Sequence, residues 1–317
     1  MLLDSGGVRM INFRELKFGI EIEFTGVSRG QASESLADLF ETFSARTKGK
    51  YDSYIIRDRD GERNWTILRD NSVDAERGID DVEVEIDDTF KCELVSPILE
   101  YSEIGVLDEV LERLKQVGAF SNSSTGIHIH VSGEKFDAIH LRILCNMLYS
   151  KQVLLEKVFA VSNDRKTYCK AFSKGFIDKL NKKKPRSLES FSKVWYFNTE
   201  LNDSQTAKYN STRYQILNLH NLLSNRLPTV EYRFFNSSLE FNDVKAYIQF
   251  ALLLTSKALN QDRASSRMSE GDNEKWNLRL FLIRLGGIGE EFKYMRRYLL
   301  ERLIGNSAWS YYEMPPF

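Results

Sequence analysis

Three short segments place chemistry-bearing side chains two residues apart, the spacing that puts them on one face of a β-strand. In KFGIEIEF (17–24), Phe18, Ile20, Ile22 and Phe24 share one face while Glu21 and Glu23 share the other. Two carboxylates backed by an apolar face make a hard-oxygen site suited to Mg²⁺, although half-buried strands also turn polar residues to water. In GIHIHVS (126–132), His128 and His130 stand opposite Ile127, Ile129 and Val131, and they are two of only four histidines in the chain. Such a pair can ligate zinc, one imidazole can join carboxylates around a harder metal, or both rings can simply satisfy sheet neighbours. No cysteine or further histidine at zinc spacing accompanies them, and His140 and His220 have no comparable setting. In LPTVEYRFFN (227–236), Glu231 and Arg233 share a face. A carboxylate for metal beside a guanidinium for phosphate or carboxylate suits phosphoryl chemistry; a cross-strand ion pair is the structural alternative. Two smaller pieces accompany them. WTILRDNSV (65–73) ends a strand in a polar turn, and FKCELVSP (90–97) sets Glu93 in an otherwise apolar strand. A carboxylate there is costly unless paired or metal-bound.

The elements that must position these groups follow from periodicity. β-Branched and aromatic enrichment, partly alternating, predicts strands over 16–27, 51–58, 64–69, 81–87, 90–96, 126–132, 213–219 and 229–236. Helical periodicity marks 31–45, 103–117, 136–161, 243–260, 274–285 and 290–303. Strands scattered among helices without a βαβ rhythm predict an α+β fold with a largely antiparallel sheet. No GxGxxG joins a strand to a helix, and Gly286-Gly287-Ile288-Gly289 reads as a turn between helices. With five prolines and no low-complexity linker or internal repeat, the 317 residues read as one domain.

The ordered set GIEIEF (19–24), DNSV (70–73), CELVSP (92–97), GIHIHVS (126–132), RYQILNL (213–219) and TVEYRFFNSSL (229–239) resembles the amidoligase family. That family belongs with glutamine synthetase and glutamate–cysteine ligase among the carboxylate–amine ligases. The resemblance covers core motifs over 18–239, leaving a helical C-terminal part at 242–305 and a basic helical insertion at 164–193. It implies a curved, largely antiparallel sheet forming a bowl, with helices on its outer side and ATP with two or three Mg²⁺ (or Mn²⁺) on its concave face. Glu21, Glu23, Glu93, His128 and Glu231 would be metal ligands, with His128 at the nucleotide end. Arg233 would touch the transferring phosphate or acyl-phosphate, and Glu21, Glu231 and Arg233 would form the catalytic set. Asp70, Ser72 and Arg213 would contact substrate, with Arg213 also a nucleotide contact. At the position of His130 the superfamily's ligases often carry another residue. Asn71 departs from a frequent DGS turn, but Asn tolerates the same left-handed backbone. The implied reaction joins a carboxylate to an amine through an acyl-phosphate, releasing ADP and phosphate. No lysine-bearing P-loop is present, so metals and arginine must hold the phosphates.

Composition narrows the remaining classes. The chain has 44 Lys+Arg against 45 Asp+Glu, so no global basic field marks a dedicated nucleic-acid binder. Its 42% apolar content supports a substantial core. No apolar run approaches the length of a membrane span and residues 1–10 lack a secretion signal, which predicts a cytoplasmic protein. Cys92, Cys145 and Cys169 fit neither a disulfide framework nor a zinc ribbon and read as unpaired thiols. Charge is segregated locally, with ten acidic residues over 70–93 and ten basic residues over 164–193. The basic stretch reads as a solvated face or as a surface for an anionic substrate or tail. The aromatic end, 309–317, reads as packing on the body. Alternatives to a ligase are a nucleotide- or metal-binding sensor or interaction module on the same fold, a zinc hydrolase built on His128 and His130, and a guanidino kinase.

Overall fold

The computed structural model describes residues 10–47, 49, 51–77, 86–197, 210–224, 226–269 and 271–309. Among them, eight strands form one open sheet. They are β1 (Phe18–Phe24), β2 (Ser44–Arg46), β3 (Tyr54–Arg57), β4 (Asn64–Arg69), β5 (Cys92–Val95), β6 (Gly126–Ser132), β7 (Leu217–Asn218) and β8 (Thr229–Asn236). Their spatial order is β2-β3-β4-β5-β1-β6-β8-β7, and every strand pairing is antiparallel. The helices are α1 (Arg29–Phe40), α2 (Val106–Gln116), α3 (Ala138–Phe159), α4 (Lys174–Lys183), α5 (Leu188–Tyr196), α6 (His220–Leu223), α7 (Phe241–Leu259), α8 (Glu274–Leu285) and α9 (Lys293–Glu301). The fold is therefore a mixture of helix and antiparallel sheet.

Alternation decides which face does what. Phe18, Ile20, Ile22 and Phe24 of β1 are all buried in the hydrophobic core, together with Ile127, Ile129 and Val131 of β6. Helices α1, α3 and α7 pack on this face, against β3 and β4, β8 and β6 respectively. α7 is apolar nearly all round, which suits a helix enclosed by α2, α3, α8, α9 and the sheet. No helix among the described residues is long and apolar enough to cross a membrane. Cys92, Cys145 and Cys169 are free and buried.

Two elements differ from the periodicity. The helix expected over 31–45 stops at Phe40, where Glu41 takes the left-handed conformation, and Ser44–Arg46 joins the sheet edge. The strand expected over 213–219 is mostly a 3₁₀ turn (Ser211–Tyr214), with only Leu217–Asn218 paired to β8. The basic stretch contains two capped helices, α4 and α5, each with an i,i+4 lysine–carboxylate pair on its surface. Most of the strand expected over 81–87, and residues 310–317 of the aromatic end, lie outside the described residues.

Candidate metal and anion site on the polar face of the sheet

Strand register brings the chemical groups of distant segments into one row. Glu23 of β1 stands directly opposite Glu93 of β5, and Glu21 opposite His128 of β6. His130 stands opposite Glu231 of β8, which in turn faces Asn218 of β7. His128 Nδ1 lies 3.0 Å from Glu21 Oε2, and its Nε2 lies 3.7 Å from Glu23 Oε1. His130 Nε2 lies 3.1 Å from Glu21 Oε1 and 4.0 Å from Glu231 Oε2.

Three groups of ligand atoms result, each with its atoms within 4.8 Å of one another. Glu21, His130 and Glu231 make the first; Glu21, Glu93 and His128 the second; Glu23, Asp70 and Glu93 the third. Glu21 is common to the first two groups and Glu93 to the last two, so they form a chain rather than three isolated clusters.

Buried charge sets the electrostatics. Burial and the neighbouring Glu21, Asp70 and Glu23 carboxylates push Glu93 well above the ordinary carboxylate range. Glu23 is likewise raised by burial, although His128, Arg165 and the Gly126 N–H oppose the rise. Burial also disfavours the charged form of Glu21, yet His130 and His128 outweigh it and hold that carboxyl well below its usual range. Glu231 is lowered by Arg233 and His130 against the effect of burial. Its two acidic neighbours, Glu21 and Glu231, lift His130 to about 9 despite burial.

The donor set fits divalent metal of the hard kind. Carboxylates dominate it, no thiol takes part, and two carboxylates stand opposite each other in a buried row where like charges repel. His130 Nε2 is buried without a properly directed hydrogen bond, although Glu21 is within ion-pair distance.

Two supports escaped the sequence reading. β8 has a bulge, because Ile127 pairs with Phe235 whereas Ile129 pairs with Tyr232, leaving Arg233 and Phe234 opposite the single residue His128. The buried Arg165 guanidinium donates to the carbonyls of Arg233 (3.1 Å) and Phe235 (2.5 Å), fastening that bulge. Any side chain at Gly126 would collide with this guanidinium, while the Gly126 N–H donates to Glu23 Oε2 at 2.6 Å. Arg165 had been hidden inside a run of basic residues. Asn218, the second support, donates to Glu231 Oε2 at 2.6 Å, and its own Oδ1 accepts from the His220 N–H.

The other expected residues are distributed as follows. Arg233 forms a close ion pair with Glu231 and donates from Nε to Tyr168 O at 3.4 Å. Ser72 directs both its N–H and its hydroxyl to Asp70 Oδ1, closing the turn on itself. Asp70 also belongs to the acid group with Glu23 and Glu93, so its surroundings are those of a ligand set. Arg213 is half-buried in the 3₁₀ turn before β7.

The fold is thus α+β, and the polar face of its antiparallel sheet carries a chain of buried and half-buried carboxylates and imidazoles that could hold metal ions. Residues 14–255 match the family described as "Putative amidoligase enzyme", and the chain belongs to that family. Among solved structures it is similar to a bifunctional glutathione synthetase from Pasteurella multocida, at 13% identity and a TM-score of 0.42. That match covers 91% of this chain, which spans about half (48%) of the synthetase chain. No curated protein matches.

Proposed function

We propose that the protein is an ATP- and Mg²⁺-dependent carboxylate–amine ligase with a glutamine synthetase-like bowl. A carboxylate is not aminolysed at neutral pH, because its leaving group would be an oxide. Transfer of the γ-phosphoryl of ATP to the acid gives an acyl-phosphate. The amine then displaces phosphate, leaving an amide, ADP and phosphate. The observation that carries this reading is the chain of three ligand groups, linked through Glu21 and Glu93, beside Arg233.

Glu21, Glu23, Glu93, His128 and Glu231 would hold the metal ions, with Asp70 and His130 as further donors. Bound Mg²⁺ would supply charge neutralisation for the phosphates and for the developing transition state. Arg233 holds a fixed positive charge at the end of the row, lifted further above its usual range by Glu231 against the effect of burial. Its guanidinium geometry suits a transferring phosphate or an acyl-phosphate. Asn218 and Arg165 keep Glu231 and Arg233 aimed, and strands hold such groups more rigidly than loops. Asp70, Ser72 and Arg213 would contact substrate, and His128 and Arg213 the nucleotide.

The test is ADP release from Mg-ATP, with and without a pool of amino acids, polyamines and small peptides. Mass spectrometry then follows any product lighter than its combined precursors by one water. Pool-dependent ADP with such a product is the expected result. ATP bound without turnover on any pool would favour a sensor, and absence of ATP binding would overturn the reading.

A further inference from the structure

A pocket of about 740 Å³ lies on the helix side of the sheet, between the C-terminal half of α3 and the segment 166–171. It is separate from the acidic row. Leu155, Cys169, Ile216 and Phe234 make its buried floor, so the interior offers water little and favours an apolar group. The rim is different. Lys166, Lys170 and Glu156 are all exposed there, and among the described residues neither lysine enters an ion pair. A third rim lysine, Lys157, is already neutralised by Glu274. Two lysines against one glutamate leave a single net positive charge at the mouth of an apolar cavity.

We propose that this pocket is a second ligand site, for an amphipathic monoanion: an apolar chain ending in a carboxylate. The volume falls within the range of roughly 300–1,000 Å³ typical of small-molecule sites. One net charge at the rim matches a carboxylate better than a doubly charged phosphate, and opposite charge at an otherwise apolar mouth gives selectivity. The chain lies against the floor while the carboxylate stays at the rim between Lys166 and Lys170. Tyr168 of the 166–171 segment accepts from Arg233 Nε through its carbonyl, and Arg165, just before it, donates to the Arg233 carbonyl. The ligand would therefore rest beside a segment in direct contact with Arg233.

Decanoate, titrated calorimetrically into the full chain, is the probe, with decanol as its neutral counterpart. Decanoate is expected to bind at least roughly tenfold more tightly than decanol. The K166E/K170E double variant should lose that preference while keeping its affinity for decanol, which separates a charge effect from misfolding. Ala171→Trp, at the exposed mouth, should weaken both ligands while circular dichroism stays unchanged. No binding of decanoate to the wild type, equal binding of decanol, or an undiminished preference in K166E/K170E would each overturn the proposal.

Discussion

Two regions bury charge, and they do so in opposite ways. Arg29, in the first turn of α1, is only 2% exposed. Its guanidinium donates to Asp52 Oδ2 at 2.5 Å, Asp52 O at 3.1 Å, Lys91 O at 3.1 Å and Asp88 O. Asp52 is held below its usual range by Arg29, with Arg46 reinforcing it against partial burial. Here one cation finds an acceptor at every nitrogen of its guanidinium. On the polar face the acids Glu21, Glu23, Asp70, Glu93 and Glu231 crowd together, and two of them are driven up by their surroundings. A buried charge that serves only architecture is matched inside the protein. One left partly unmatched points to a partner that arrives from outside.

That contrast can be broken at either end. Glu21→Gln or Glu231→Gln should lower turnover by roughly a thousandfold or more while the fold persists, since each removes charge from a preformed site. Rate assays paired with thermal melts check this, and a near-normal rate would break the metal assignment. Arg29→Ala should do the reverse, costing about 3 kcal/mol of stability in urea titrations without changing Mg²⁺ affinity, because the carbonyls of Asp52, Asp88 and Lys91 lose their donor while Arg46 still pairs Asp52. Adding Mg²⁺ to metal-free protein should raise stability by about 2.7 kcal/mol at a hundredfold excess over Kd. The Arg29→Ala variant should show the same increment and Glu21→Gln a much smaller one. The finest test is Glu93→Gln. Without divalent ions it should stabilise the fold by about 1 kcal/mol by relieving repulsion, while weakening Mg²⁺ binding. A destabilised Glu93→Gln would mean that the acids are satisfied as they stand.

How much of this was legible in the sequence follows from what each signal encodes. A period of two assigns side chains to faces, so Glu21/Glu23, His128/His130 and Glu231/Arg233 could be read as pairs. It says nothing about which strand lies beside which. Only the order β5-β1-β6-β8-β7 sets Glu93 against Glu23 and His130 against Glu231. Helical pattern carried past Phe40 because apolar spacing does not reveal where a residue such as Glu41 will adopt the left-handed backbone. Arg165 does not stand out in the sequence because a charge count treats all members of a basic run alike, and its hydrogen bonds reach residues about seventy positions away. Asn218 lay inside a matched motif, but an amide becomes informative only once its carboxylate partner is known.

The central position of β1 has a consequence for biosynthesis. Its neighbours β5 and β6 begin about seventy and more than a hundred residues later in the chain, so this apolar strand leaves the ribosome long before its edges can be covered. Unpaired strands of this composition invite pairing between chains, and charged residues at alternate positions discourage it. Glu21 and Glu23 would repel a second copy of the same nascent strand in register. Two residues read here as metal ligands would thus also act as gatekeepers against aggregation during synthesis, before the sheet has closed around them.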